Sequence, residues 1–92
     1  MFKTLEELIA IFRKRKESSL EESYTSKLLK NKKLNIEKVK EEIRELIDAI
    51  EQDKNKVHES ADVLYHLMVL LEANGIKIED VMEELKKRQK NK

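Results

Sequence analysis

Two acidic runs hold the chemistry available to this sequence: Glu41-Glu42-Ile43-Arg44-Glu45 and, with thirteen residues between Glu45 and its start, Glu59-Ser60-Ala61-Asp62. On an α-helix a step of three residues leaves two side chains about 60° apart, so Glu42 and Glu45 share one side, as do Glu59 and Asp62. His66 falls on the same arc as Glu59 and Asp62, and Val69 and Ala73 continue that face. Acid groups thus occupy the beginning of a face whose remainder is apolar. Four carboxylates drawn together without a cation would repel one another and raise their pKa values. Hard oxygen ligands of this kind suit Mg²⁺, or Mn²⁺, ions that retain waters and bridge to phosphates. Acid pairs also arise by chance on solvated faces, since 19 of the 92 residues are Asp or Glu. Two such pairs on adjacent helices, one heading the most apolar segment of the chain, favour metal over solvated charge.

The elements that must position these groups are legible from apolar spacing. Thr4 with Glu7 has the form of a capping box, and Leu5, Leu8, Ile9 and Phe12 then make a first helical stripe. That helix runs into Arg13-Lys14-Arg15-Lys16 and gives way to a polar stretch from Glu17 to Glu22. A short second segment covers Ser23 to Leu29. The basic stretch from Lys30 to Asn35 reads as a loop, with Asn35 as the cap of the next helix. From Ile36 to about Glu51, Val39, Ile43, Leu46 and Ile50 recur at helical steps. Gln52 to Asn55 reads as a polar turn, which makes the flanking helices antiparallel neighbours. A fourth helix from about Lys56 to Asn74 spans roughly 28 Å. Gly75 stands where a left-handed C-terminal cap belongs. The last helix begins near Glu79, carries Val81, Met82 and Leu85, and frays into a charged tail.

Composition bounds the rest. Ninety-two residues make a single domain, 1–92, with 42% charged and 39% hydrophobic residues, one glycine and no proline. The expected class is all-α, an antiparallel bundle of four to five helices. From Val63 to Leu71 the fourth helix is apolar nearly all round, more than three or four short neighbours can cover. A homodimer or higher homo-oligomer built on that segment is expected to complete the bundle. The formal charge of +1 supplies no field for nucleic acid or a membrane surface. Without cysteine there is neither a disulfide frame nor a thiolate metal site. The longest unbroken apolar run, Leu67 to Leu71, is far short of a span, and a cytoplasmic location is expected.

Further residues fall into order around the two acidic runs. Arg15-Lys16, Ser23-Tyr24-Thr25 with Leu28-Leu29, and Lys38-Val39 precede or enter the first run. Ala61-Asp62-Val63-Leu64-Tyr65-His66-Leu67 contains the end of the second, and Asp80-Val81 and Glu84-Leu85 with Arg88 follow. In this arrangement the chain resembles the all-α nucleoside triphosphate pyrophosphohydrolases, the MazG-like superfamily, over nearly its whole length. The Ser-Tyr-Thr segment and the Leu-Tyr-His after the acidic motif resemble most closely the phosphoribosyl-ATP pyrophosphohydrolase family. It departs from that family in lacking a glycine over Asn31 to Asn35, in Lys40 where a glycine often precedes the acidic pair, and in Glu37 where a lysine is usual.

The resemblance implies Mg²⁺-dependent hydrolysis of phosphoribosyl-ATP between its α and β phosphorus atoms, a step of histidine biosynthesis. Glu42, Glu45, Glu59 and Asp62 would hold the cation, and Glu41 and Glu42 are the candidate catalytic carboxylates, with Glu41 or a free oxygen of one of the ligands taking the proton of the attacking water. Arg15, Lys16, Lys27, Lys38 and the Lys32-Lys33 pair are candidates for phosphate, each weighed against ordinary solvated charge. Ser23 and Thr25 belong to the substrate segment. Tyr24 either stacks on a base or ribose or packs its segment to the core. His66 either supports the ligands, bonds phosphate or is a satisfied core histidine, and His58 reads as surface. Two rivals stand beside this reading: a house-cleaning dNTP pyrophosphohydrolase of the same superfamily, and a helical interaction module without activity.

Overall fold

The computed structural model describes residues 2–17 and 23–90. Among these residues there are five α-helices and no strand: α1 (Lys3–Glu17), α2 (Tyr24–Lys30), α3 (Lys32–Gln52), α4 (Lys56–Ala73) and α5 (Ile78–Lys90). The architecture is all-α, as the apolar spacing indicates. Of the polar stretch expected from Glu17 to Glu22, Glu17 ends α1 and 18–22 lie outside the described residues.

Helix boundaries differ from the sequence expectation at the start of α1, between α2 and α3, and at the ends of α5. Thr4 is not a cap, because α1 begins one residue earlier and the Phe2 carbonyl accepts from the Glu6 amide at 3.2 Å. The stretch after Lys30 is not a loop, and Asn35 caps nothing. A single residue, Asn31, separates α2 from α3 and serves both. Its N–H closes α2 onto the Leu28 carbonyl, while its side-chain oxygen accepts from the Leu34 amide at 3.1 Å. Lysine and leucine are good helix formers, so once Asn31 supplies the cap, Lys32 to Asn35 become the first turn of α3. Asn35 is consequently a fully buried helical residue. At the other end α5 starts at Ile78 and stays helical through Lys90 rather than fraying, with 91–92 outside the described residues.

The reversal between α3 and α4 is as short as expected. Asp53 and Asn55 both take left-handed backbone, φ 54° and 56°, a conformation Asp and Asn tolerate better than most residues. Gly75 likewise has φ 71° and ends α4, where the Ile76 amide reaches back to the Leu71 carbonyl at 2.9 Å. Nothing approaches within 4 Å of the place a Cβ would occupy on Gly75, so the demand for glycine there is conformational, not steric.

Helices α3 and α4 form the most extensive pair, and α1 and α2 lie against α4. The centre of the core is Phe12, Leu28, Met68 and Val69, with Leu8, Ile9, Leu34, Tyr65 and Ile78 packed round it. Phe12 meets the Tyr65 ring edge-on at 5.5 Å between centroids, which pins α1 to α4. Helix α5 has no buried residue. It is held by Ile78 at the core and by Arg13, whose guanidinium grips Glu79 at 2.6 and 3.1 Å.

Candidate active site

Antiparallel pairing across a three-residue turn brings the later part of α3 opposite the start of α4. The spacing of acids along each helix then decides what meets. One carboxylate oxygen from each of Glu42, Glu45 and Glu59 lies within 4.8 Å of the others. Asp62 joins through Glu59: a second group, His58, Glu59 and Asp62, meets the same limit. The four carboxylates singled out by sequence therefore adjoin one another across α3 and α4.

The electrostatics of this cluster are unfavourable as it stands. Burial pushes the Glu42 carboxyl above its ordinary range, and hydrogen bonding to Glu45 and the charges of Glu45 and Asp62 push it further, opposed by His66. Glu59 is raised for the same reasons, burial first and the Glu45 charge next, with His58 opposing. One oxygen of each, Oε2 of Glu42 and Oε2 of Glu59, is buried without a hydrogen-bond partner. A buried carboxylate oxygen lacking any partner is costly to maintain, and a cation held between the two would offset that cost. Oxygen-only donors of this kind match a hard divalent cation.

His58 is on the surface, as its sequence reading had it, and lies beside the cluster. It is exposed, yet its Nε2 lies 3.4 Å from Oδ2 of Asp62. The signal was present in the four-residue step from His58 to Asp62, which puts the two on one helix face.

Around the acids the structure sorts the remaining candidates. Lys38, one turn before Glu42 on α3, pairs with Glu41 at 3.4 Å and stands near enough to Tyr24 for each to shift the other's titration. Glu41 is exposed on the outer side of α3, among Glu37, Lys40, Arg44, Glu45 and Asp48, and outside the acid cluster. Tyr24, the first residue of α2, reaches the Nε2 of His66 with its hydroxyl at 2.8 Å. His66 is buried and its Nδ1 lies 2.8 Å from the main-chain oxygen of Asp62, so both ring nitrogens are engaged within the protein. Ser23 caps α2 by accepting from the Ser26 amide at 3.1 Å, and the buried Thr25 bonds the Tyr65 hydroxyl. Lys27, Lys32 and Lys33 are exposed, on the outer side of α2 and the first turn of α3. Arg15 is half-buried on α1. Lys16 is placed apart from the acids: its ammonium donates to the Glu72 carbonyl at 2.7 Å, ten residues and thus about 15 Å along α4 from Asp62.

Fold and site together define an all-α scaffold in which carboxylates from two antiparallel helices meet beside a lysine and a tyrosine carried on α3 and α2. The chain belongs to the phosphoribosyl-ATP pyrophosphohydrolase family, whose sequence model matches residues 5–89. It is similar to the phosphoribosyl-ATP pyrophosphatase of Haloarcula marismortui, 42% identical over 89 residues, covering 91% of each chain. The phosphoribosyl-ATP pyrophosphatase of Methylobacterium nodulans is 44% identical over 92 residues, covering 92% of this chain and 82% of its own. The histidine biosynthesis bifunctional protein HisIE of Pyrococcus furiosus is 46% identical over 87 residues, with 94% of this chain matching 41% of the relative. The chain therefore spans less than half the length of that bifunctional relative.

Proposed function

We propose that this protein hydrolyses phosphoribosyl-ATP at the α–β phosphoanhydride, giving phosphoribosyl-AMP and pyrophosphate in histidine biosynthesis. The reading is supported by the family match over residues 5–89 and by the names of relatives such as that of Haloarcula marismortui. The observation that carries it to the chemistry is the pair of buried, unpartnered oxygens on Glu42 and Glu59, with Glu45 within reach of both and Asp62 within reach of Glu59.

Glu42, Glu45, Glu59 and Asp62 would hold Mg²⁺, with Mn²⁺ as the alternative. When bound, such an ion neutralises phosphate charge and lowers the pKa of a coordinated water. The chain's own residues supply the rest. Lys38 offers a cation one turn from Glu42 and, on leaving Glu41, can meet a phosphate oxygen. Glu41 is then a carboxylate without cluster duties and is our candidate to take the proton of the attacking water at a side-chain oxygen. His66 is not free to bond phosphate directly, since both nitrogens are occupied.

A second copy of the chain completes this reading. Ile43, Ile47 and Ile50 on α3 and Leu64 on α4 are large apolar side chains left exposed, and they support a homodimer closing over these two helices. No helix among the described residues is long and apolar enough to cross a membrane, which accords with a cytoplasmic biosynthetic enzyme.

The deciding experiment is pyrophosphate release from phosphoribosyl-ATP measured beside a panel of dNTPs, with Mg²⁺ and with EDTA. Turnover of phosphoribosyl-ATP that EDTA abolishes is expected. Preference for a dNTP would move the chain to the house-cleaning activity, and release that ignores EDTA would remove the metal from the mechanism.

A further inference from the structure

Two of the three hydroxyls in Ser23-Tyr24-Thr25 are spent on the fold. Ser23 Oγ caps α2, and the Thr25 hydroxyl is buried against Tyr65. Tyr24 alone turns outward, 45% exposed, and its neighbours dictate what its hydroxyl can do. The Asp62 carbonyl oxygen, 2.8 Å from Nδ1 of His66, has no proton to give, so Nδ1 carries the ring proton and donates it. An imidazole with one proton then presents only a lone pair at Nε2. That lone pair lies 2.8 Å from the Tyr24 oxygen, so the Tyr24 O–H donates to it. The phenolic proton is thereby committed, and what Tyr24 shows to an incoming ligand is an acceptor. Phosphate oxygens are acceptors as well and gain nothing from it.

We propose that Tyr24 is a specificity-determining contact for the nucleoside half of the substrate, accepting a hydrogen bond from a ribose hydroxyl or a base N–H, and that His66 is the positioning residue that imposes this polarity from the Asp62 main chain. The inference rests on the pyrophosphohydrolase reading above and deepens it. The placement agrees: Tyr24 feels the charges of both Lys38 and Glu42, so a nucleotide with its phosphates at Lys38 and the acids lays its nucleoside beside the Tyr24 ring. The ring itself lies nearly parallel to Tyr65, 11° between planes, and edge-on to His66, which limits its freedom to turn away.

The two products of the reaction separate the alternatives, because phosphoribosyl-AMP carries nucleoside donors and pyrophosphate carries none. Inhibition constants for each product, and kcat and KM for phosphoribosyl-ATP, would be measured at pH 8 in Mg²⁺ for wild type, Tyr24→Phe, His66→Leu and His66→Gln. Tyr24→Phe should raise KM and the phosphoribosyl-AMP constant about five- to tenfold, the value of one such hydrogen bond, with kcat and the pyrophosphate constant unmoved. His66→Leu leaves the Tyr24 hydroxyl free to turn and should raise KM and the phosphoribosyl-AMP constant in the same direction, and His66→Gln, whose amide oxygen can accept from Tyr24, should recover most of the loss; a purely structural histidine would show no such rescue. A pyrophosphate constant that rises in Tyr24→Phe, or nucleoside constants that stay put, overturns the proposal. Should wild type release no pyrophosphate at all, the activity reading fails instead. Calorimetric binding of phosphoribosyl-AMP to the same four proteins then still decides the role of Tyr24.

Discussion

Glu42 is where the cost of the site is concentrated. Its carboxyl is buried beside Glu45 and Asp62, and the resulting upward shift means the folded protein holds a proton there more firmly than the unfolded chain does. The ionised form therefore weakens the fold near neutral pH, and without a cation stability should rise as pH falls toward the ordinary carboxylate range. Glu42→Gln removes that penalty and one ligand together. Pyrophosphate release should fall by at least about a hundredfold, while the melting temperature in EDTA stays level or rises. Scanning calorimetry with and without Mg²⁺ checks both halves: wild type should be stabilised by the ion and the variant should not. Activity within tenfold of wild type would remove Glu42 from the site. At this scale the acids were legible because helical spacing alone places Glu42 with Glu45 and Glu59 with Asp62. The bond from Tyr24 to His66 was not, since 42 residues separate its ends and no local period links them. His58 was legible as a surface residue, though not as the partner of Asp62 one turn on.

Among the elements, Asn31 shows why boundaries were harder to read than helices. One side chain caps α3 while the same residue's N–H closes α2, so a basic stretch with the composition of a loop holds a helix start. The repeating Val39, Ile43, Leu46 and Ile50 identified α3 without fixing its first turn. Helix α5 shows the reverse case, an element legible by period whose anchorage was not. Arg13 on α1 and Glu79 on α5 are 66 residues apart in sequence and joined by two hydrogen bonds. That bond holds the Glu79 carboxyl down at about 2, against an ordinary 4.5. The sign follows from the depression: the contact supports α5 fully above the ordinary value and is lost as pH falls through about 2. Both groups are solvent-exposed, so the effect belongs to the docking of α5 more than to global stability. An NMR titration of the Glu79 carboxyl should give a midpoint near 2, and Arg13→Met should return it toward 4.5. A Glu79 midpoint near 4.5 in wild type would mean α5 is tethered by Ile78 alone.

Taken whole, the chain is looser than its length requires. The Cα radius of gyration is 14.6 Å, whereas a compact domain of this length is expected at about 12 Å. Apolar side chains that a finished core would cover remain outside: Ile47 and Ile50 on α3 are 51% and 57% exposed, and Leu64 on α4 is 48% exposed. The sequence hinted at this through Val63 to Leu71, apolar on more sides than its neighbours can serve. In the structure that surplus resolves by position, with Met68 and Val69 sealed inside by α1 and α2 and Leu64 left on the outer side. Ile47 follows Ile43 by one turn on α3, so the exposed residues of α3 form a stripe rather than scattered points. A stripe of that kind is what a second copy would bury, and burying it supplies stability a marginal 92-residue core lacks. Ile47→Lys places a charge in the middle of the stripe, where no carboxylate of the acid cluster is altered. Light scattering coupled to size exclusion should give twice the chain mass for wild type and the single mass for the variant at micromolar concentration. The variant should also melt several degrees lower, because the surface it exposes is then permanently wet. Wild type eluting as a monomer, or a variant retaining the doubled mass, would mean that the α3 stripe is not the interface, and some other surface would have to cover α3 and α4.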